Sequence, residues 1–368
     1  MSQSSERTAR ALVLEQPRTL VERALPVPDV GDDDGLLRVE ACGLCGTDHE
    51  LYTGTLPSGF AFVPGHESVG IVEAVGPKAA ERWGVKAGDR VALEVMQSCG
   101  ACEKCLRGDY RLCRRHGLAD MYGLIPVDKE PGLWGGYATY QYLAPDSMLL
   151  PVPAGLDPAV ATLFNPLGAG IRWGVTVPGT GPGDVVAVLG PGVRGLSACA
   201  AAKEAGAAFV MVTGVSPHDD ERLALAHAFG ADLAVDVGAE DPSKAIRAAT
   251  GGGADVVVDV TAKAPAALAQ AIAIARAGGT IVMAGTRGSA DTPGFWPDLI
   301  VFKELRILGA LGVDAPAYRA ALDLLATGRY PFADLPRRCV PLDEAEDLVR
   351  SMAGEGDGPP PVHGVVMP

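Results

Sequence analysis

Four cysteines constrain this chain more than any other feature. Cys99, Cys102, Cys105 and Cys113 form a C-x2-C-x2-C-x7-C array in the run SCGACEKCLRGDYRLC. Thiolates nested this closely in one segment suit the tetrahedral cage of a structural Zn²⁺, with two local disulfides or four free thiols as the alternatives. Disulfides belong to oxidising compartments. The chain opens MSQSSERTAR, which has neither the apolar stretch nor the cleavage site of a secretory signal. A reducing cytoplasm is therefore expected, and there metal ligation explains the cluster better than disulfides do.

The rest of the chain must supply the core. At 368 residues it is long enough for about two domains. Apolar residues make up 48% of it, but they are dispersed, and no run approaches the ~20 that a membrane span requires. Lys plus Arg number 31 against 45 Asp plus Glu, a net charge of −14. That balance disfavours DNA or another polyanion and suits a small-molecule substrate, with no membrane partner.

The texture changes twice along the chain. From Ala9 to about Leu150, short β-like runs such as ARALVLEQPRTL, LLRVEACG, GIVEAVG and DRVALEV alternate with Gly, Pro and Asp, which predicts a compact β-rich unit. From about Gly183 to Gly309 the pattern becomes strand, helix, strand: VVAVL, RGLSACAAAKEAG, AFVMVTG, DDERLALAHAFG, DLAVDV, ADVVVDV, PAALAQAIAIARAG and TIVMAG. Helical runs of about a dozen residues between strands make βαβ units and a parallel sheet. The fold class is α/β. After Leu311 come two helical pieces and the tail PPPVHGVVMP.

Within the βαβ region, VVAVL runs into Gly190-Pro191-Gly192-Val193-Arg194-Gly195, a GxGxxG that opens a helix. Glycines there let the backbone approach a pyrophosphate on the helix N-terminus, where unpaired N–H groups favour negative charge. Such a motif alone is weak, but between two strands it points to a dinucleotide. An acidic residue ending the second strand ordinarily binds the adenosine ribose; here Gly214 holds that place. The following loop has no Lys or Arg before Arg222 and carries Asp219 and Asp220, which would repel a 2′-phosphate. The expectation leans to NAD over NADP.

A second constellation lies upstream. CGLCGTDHELYTG contains Cys45, Thr47, Asp48, His49 and Glu50, and VPGHESVGIVEAVG contains His66 and Glu67. A thiolate, an imidazole and a carboxylate can form the three-point bed of a catalytic Zn²⁺. Buried structural roles for Cys45 and His66 are the bland alternative. In these residues the chain resembles the zinc-containing medium-chain alcohol dehydrogenases, especially the polyol and threonine dehydrogenase branch. The likeness runs from GxCGTD and GHExxG through the four-cysteine lobe, GGYA at Gly135 to Ala138, the glycine fingerprint and GGTIVMAG ending at Gly285.

The resemblance implies a GroES-like catalytic domain over 1–165 with a zinc lobe at 97–115, a Rossmann domain over 166–309, and a return to the catalytic domain over 310–368. It also implies one structural and one catalytic zinc, hydride transfer between an alcohol or carbonyl substrate and NAD or NADP, and a homodimer or homotetramer. Cys45, His66 and Glu67 match the catalytic ligands. Thr47 matches the hydroxyl that starts a proton relay, and Asp48 matches an acid that orients the imidazole. Gly285 falls in the segment under the nicotinamide. Two positions depart from the family pattern. The relay imidazole is replaced by Glu50, with His49 one residue earlier. FNPLGAG puts Asn165 where the branch carries a glutamate near the metal. A zinc-independent reductase of activated double bonds or quinones, or a non-catalytic nucleotide-binding protein, are the competing readings. Cys42, Cys199 and Cys339 read as small buried hydrophobes, His218 as exposed, and His116 as outside the thiolate set.

Overall fold

The computed structural model describes residues 7–56, 59–288, 290–356 and 359–368. The β-like runs of the first third pair into two sheets. Strands β1 (Thr8–Gln16) and β2 (Thr19–Pro26) form an antiparallel ribbon. Strands β3 (Gly35–Leu44), β4 (Glu67–Val75), β5 (Arg90–Leu93), β6 (Tyr140–Leu143) and β7 (Leu149–Pro151) build most of a seven-stranded sheet. β3 organises it: Gly35–Gly43 pair with β4, Gly35–Arg38 also pair with β6, and Cys42–Leu44 pair with the last strand of the chain. Leu37, Val39, Val72, Val91, Phe62 and Tyr137 lie in its core.

The βαβ region forms a second, wholly parallel sheet of β8 (Val185–Leu189), β9 (Phe209–Gly214), β10 (Leu233–Asp236), β11 (Ala254–Asp259), β12 (Ala275–Met283) and β13 (Arg306–Gly309), in the order β10-β9-β8-β11-β12-β13. This is the doubly wound dinucleotide-binding order, whose switch point lies between β8 and β11. Val186, Ala187, Val188 and Leu189 are all buried, as an inner strand of a parallel sheet requires. One helical run is shorter than its pattern suggests. The helix Ala267–Ile274 stops before ARAG, because Ala275 is already paired with Ala254 as the start of β12.

Strands β14 (Arg337–Val340) and β15 (His363–Val366) complete the first sheet. One compact unit comprises residues up to Phe164, Leu322–Thr327 and Phe332 onward, and the other comprises Asn165–Ala321 and Gly328–Pro331. The chain thus leaves the second unit inside the helix Ala315–Thr327, later than the expected change after Gly309. No helix among the described residues is long and apolar enough to cross a membrane.

The C-terminal strand is tied in by a buried imidazole. His363 Nδ1 accepts from Arg337 Nε at 2.9 Å, and its Nε2 lies 3.2 Å from the Thr162 hydroxyl, which itself donates to Ala159 O. Burial, reinforced by the Arg337 charge, holds His363 down to about 3. Between about pH 6.5 and 3 the unfolded chain therefore binds a proton that the folded one refuses. This contribution to stability is complete above the unfolded value and declines as pH falls, by about 1.4 kcal/mol per pH unit. Urea titrations from neutral to mildly acidic pH should show that limb flattened in His363→Gln. An identical slope in the variant would refute a neutral buried imidazole.

Candidate functional site

The β3–β4 register brings the upstream motifs together. Gly43 faces Glu67 across the pair, so Cys45, just past the end of β3, meets His66, just before β4. Cys45 caps the helix Gly46–Thr53, and its N–H donates to Asp48 Oδ2 at 2.9 Å. The other oxygen of Asp48 lies 3.6 Å from His66 Nδ1, so one buried carboxylate holds the Cys45 backbone and faces the His66 ring. Cys45 Sγ and His66 Nε2 are 3.4 Å apart, and ligand atoms of Cys45, His66 and Glu67 all fall within 4.8 Å of one another. Zinc bonds of about 2.3 Å to sulfur and 2.0 Å to nitrogen at a tetrahedral angle would separate such a pair by roughly 3.5 Å.

The electrostatics of the cluster also fit a cation. Burial opposes a charged His66, yet Asp48, Cys45 and Glu67 outweigh it and hold the imidazole up to about 10. A buried set with this much acidity calls for positive charge at its centre. Gly43 makes room for the Glu67 carboxylate: a Cβ there would stand 2.3 Å from Glu67 Oε2. Thr47 is half-buried on the first turn of the same helix, and Glu50 is half-buried one turn further along. His49 is committed elsewhere, with Nε2 2.9 Å from Glu355 Oε1, a carboxylate also held by Arg18.

The four-cysteine segment forms the second cluster, with ligand atoms again within 4.8 Å of one another. Cys102 and Cys99 sulfurs lie 3.5 and 3.8 Å from that of Cys105, close to the roughly 3.8 Å edge of a tetrahedral zinc–thiolate cage. Backbone N–H groups of Arg114 and Cys105 pull the Cys102 thiol down to about 6. Burial pushes Cys113 up, but N–H groups of Cys99, His116 and Arg115 prevail and bring it to about 7. Burial and the neighbouring thiols push Cys105 up to about 11, because four thiolates cannot share this volume without a cation between them. All eight cysteines are free of disulfides. His116 lies outside the cluster, between Asp120 at 2.9 Å and Asp146 at 2.7 Å.

In the second unit, Gly190 follows β8 with φ +99°, and Gly192 caps the helix Val193–Glu204. A Cβ on Gly195 would lie 1.8 Å from Gly190 O, whereas one on Gly192 would meet nothing within 4 Å. The third glycine packs the helix against the turn, and the second leaves open space above it, a cradle suited to pyrophosphate. Val193 and Arg194 are half-buried on the first turn, with the Arg194 guanidinium 5.5 Å from the Trp173 ring centre. Gly285 follows β12 so closely that a Cβ would lie 1.8 Å from Thr261 O. Asn165 is buried, and its Nδ2 donates to the Tyr318 hydroxyl at 3.0 Å.

Sequence reasoning missed Asp259 at the end of β11. It is fully buried, paired with Arg287, and accepts from Thr261 N at 3.0 Å and Thr261 Oγ1 at 2.6 Å. An acid closing the apolar run VVV of ADVVVD was its only signal. Cys42 and Cys199 are buried as expected, and burial raises both thiols. Cys339 corrects the expectation: β14 is an edge strand, and Cys339 faces outward while Val340 faces in. His218 is exposed, as expected.

Residues 31–154 match the alcohol dehydrogenase GroES-like domain, and residues 194–327 match the zinc-binding dehydrogenase family. The chain is 71% identical over 360 residues to the Mycobacterium tuberculosis protein named "Probable alcohol dehydrogenase adh", covering 98% of each chain. It is 32% identical over 353 residues to the sorbitol dehydrogenase of Bacillus subtilis, covering 95% of each. Among solved structures, a zinc-binding dehydrogenase from Sinorhizobium meliloti bound to NADP superposes with a TM-score of 0.84 at 32% identity, covering 99% of this chain and 100% of that one. The chain belongs to the zinc-binding alcohol dehydrogenase family of NAD(P)-linked oxidoreductases, among relatives that include polyol and threonine dehydrogenases.

Proposed function

We propose that this enzyme interconverts a secondary alcohol or polyol with its carbonyl partner, using one catalytic and one structural zinc and NAD in preference to NADP. The buried convergence of Cys45, His66 and Glu67 carries the reading. Zinc in that bed supplies Lewis acidity toward the substrate oxygen, and nicotinamide supplies the hydride chemistry. Asp48 holds the Cys45 backbone and faces the His66 ring, fixing the ligand geometry. The Thr47 hydroxyl would take the proton that the substrate hydroxyl loses while passing its own onward. Glu50, one turn further along, is the acceptor beyond it, since His49 is engaged by Glu355. Asn165 takes no part as a base, because an amide does not accept a proton. Gly190, Gly192, Val193, Arg194 and Gly195 form the pyrophosphate turn, and Gly285 the nicotinamide side.

A quinone or enone reductase without zinc would have no use for a buried thiolate, imidazole and two carboxylates in one cluster. The oligomer contact falls at the β13 edge, where Val301, Phe302 and Leu311 are exposed beside an edge strand; a second copy of this chain is its natural cover. The test is a screen of secondary alcohols, polyols and their ketones with NAD and NADP in parallel, before and after removal of metal by a chelator. Nucleotide reduction by an alcohol, lost with the metal, is the expected result. Metal-independent turnover of quinones or enones, with no alcohol oxidised, would refute it.

A further inference from the structure

We infer that Asp219 replaces the strand-terminal acid missing at Gly214, making it the residue that binds the adenosine ribose and discriminates against a 2′-phosphate. The inference rests on the dinucleotide reading of the turn after β8. In that reading, the ribose hydroxyls meet a carboxylate at the end of the second strand. β9 ends there at Gly214, alongside the glycine turn, with Gly190 N donating to Thr213 O at 3.1 Å.

Gly214 cannot carry that carboxylate itself. A Cβ would stand 2.8 Å from Pro191 Cγ, 3.0 Å from Asp219 Cβ and 3.1 Å from Asp219 Oδ2. The space where a residue-214 side chain would begin is already filled by the carboxylate of Asp219, which reaches back from the following loop. Asp219 is held in that place: Oδ2 accepts from Val215 N at 2.9 Å, and Oδ1 lies 3.2 Å from an Arg222 guanidinium nitrogen and 3.1 Å from His218 Nδ1. A carboxylate offers about four lone-pair sites, so these contacts leave it able to accept from a ribose hydroxyl. Its side chain retains 15% exposure, enough for that contact.

The same placement settles what Arg222 can do. Its charge is already paired with Asp219, and Asp236 at the end of β10 adds a second acid, which accepts from Ser216 N and Gly238 N. A 2′-phosphate brought to this end of the sheet would meet Asp219 before any uncompensated cation. The position therefore favours hydroxyl over phosphate by charge as well as by hydrogen bonding.

The test is calorimetric titration of the metal-loaded full-length protein with NAD and with NADP, comparing wild type, Asp219→Asn and Arg222→Gln. Asparagine keeps the shape and an acceptor for Val215 N but removes the charge. Losing a charge-assisted hydrogen bond corresponds to about tenfold or more in affinity. Asp219→Asn should weaken NAD about tenfold, tighten NADP, and keep the wild-type melting temperature. Arg222→Gln should leave the NAD preference intact. Equal weakening of both coenzymes, or no change, would reduce Asp219 to a loop brace and overturn the inference. Selective loss of NADP binding in Arg222→Gln would overturn it too, by making the arginine a phosphate reader. If wild type bound neither coenzyme, the dinucleotide reading itself would fall.

Discussion

His66→Ala should lose the catalytic zinc and at least about a thousandfold in alcohol turnover, a loss of several kcal/mol in barrier reduction. Cys45→Ser should do the same. Both side chains are buried, and each supplies one of three ligand atoms gathered by the pairing of β3 with β4. Removing the imidazole leaves Cys45, Asp48 and Glu67 as buried acids around a missing ligand, and uncompensated buried charge is costly. The pairing itself is made by backbone hydrogen bonds from Gly35 to Gly43, so the sheet should persist. Metal analysis should then give one zinc per chain fewer than wild type, with an unaltered far-ultraviolet dichroism spectrum. Full turnover in either variant would remove the metal from the chemistry and favour the zinc-independent reductase.

Much of this arrangement was legible in the sequence because its chemistry is local. Cys45 to Asp48, His66 with Glu67, the four cysteines and the glycine turn each sit in one short segment, where spacing and residue type carry the signal. Strand and helix periods separated the β-rich unit from the βαβ unit for the same reason. What escaped notice depends on long-range contacts. His49 is paired with Glu355, and His363 with Arg337 and Thr162, and nothing near either histidine in the chain announces its partner. Asp219 appeared only as one of two loop acids, because its approach to Gly214 depends on how the chain turns after β9. Cys339 looked like a core residue because edge and inner strands are alike in a four-residue run. The end of the helix at Ile274 was set by the pairing of Ala275 with Ala254, against a sequence pattern that favours helix through ARAG.

The four-cysteine lobe should depend on its metal more than on burial. Its regular structure amounts to a single turn at Glu103–Leu106 and a short 3₁₀ turn at Tyr110–Leu112. Its larger apolar side chains face outward, Leu106 being 74% and Leu112 50% exposed. Anchors at its base include the Tyr110 hydroxyl, which donates to Glu94 at 2.7 Å, and His116, which bridges Asp120 and Asp146. A segment with so little core would be held by a tetrahedral metal cage, since metal binding free energy would be folding free energy there. Cys102→Ala should therefore release the structural zinc and lower the melting temperature by about 5–15 °C, the range that a loss of a few kcal/mol produces in a domain of this size. The zinc of the Cys45 cluster should stay bound, and turnover at low temperature should remain near wild type. An unchanged melting temperature in Cys102→Ala would sink the assignment, as would native protein with less than one zinc per chain and an ordered lobe.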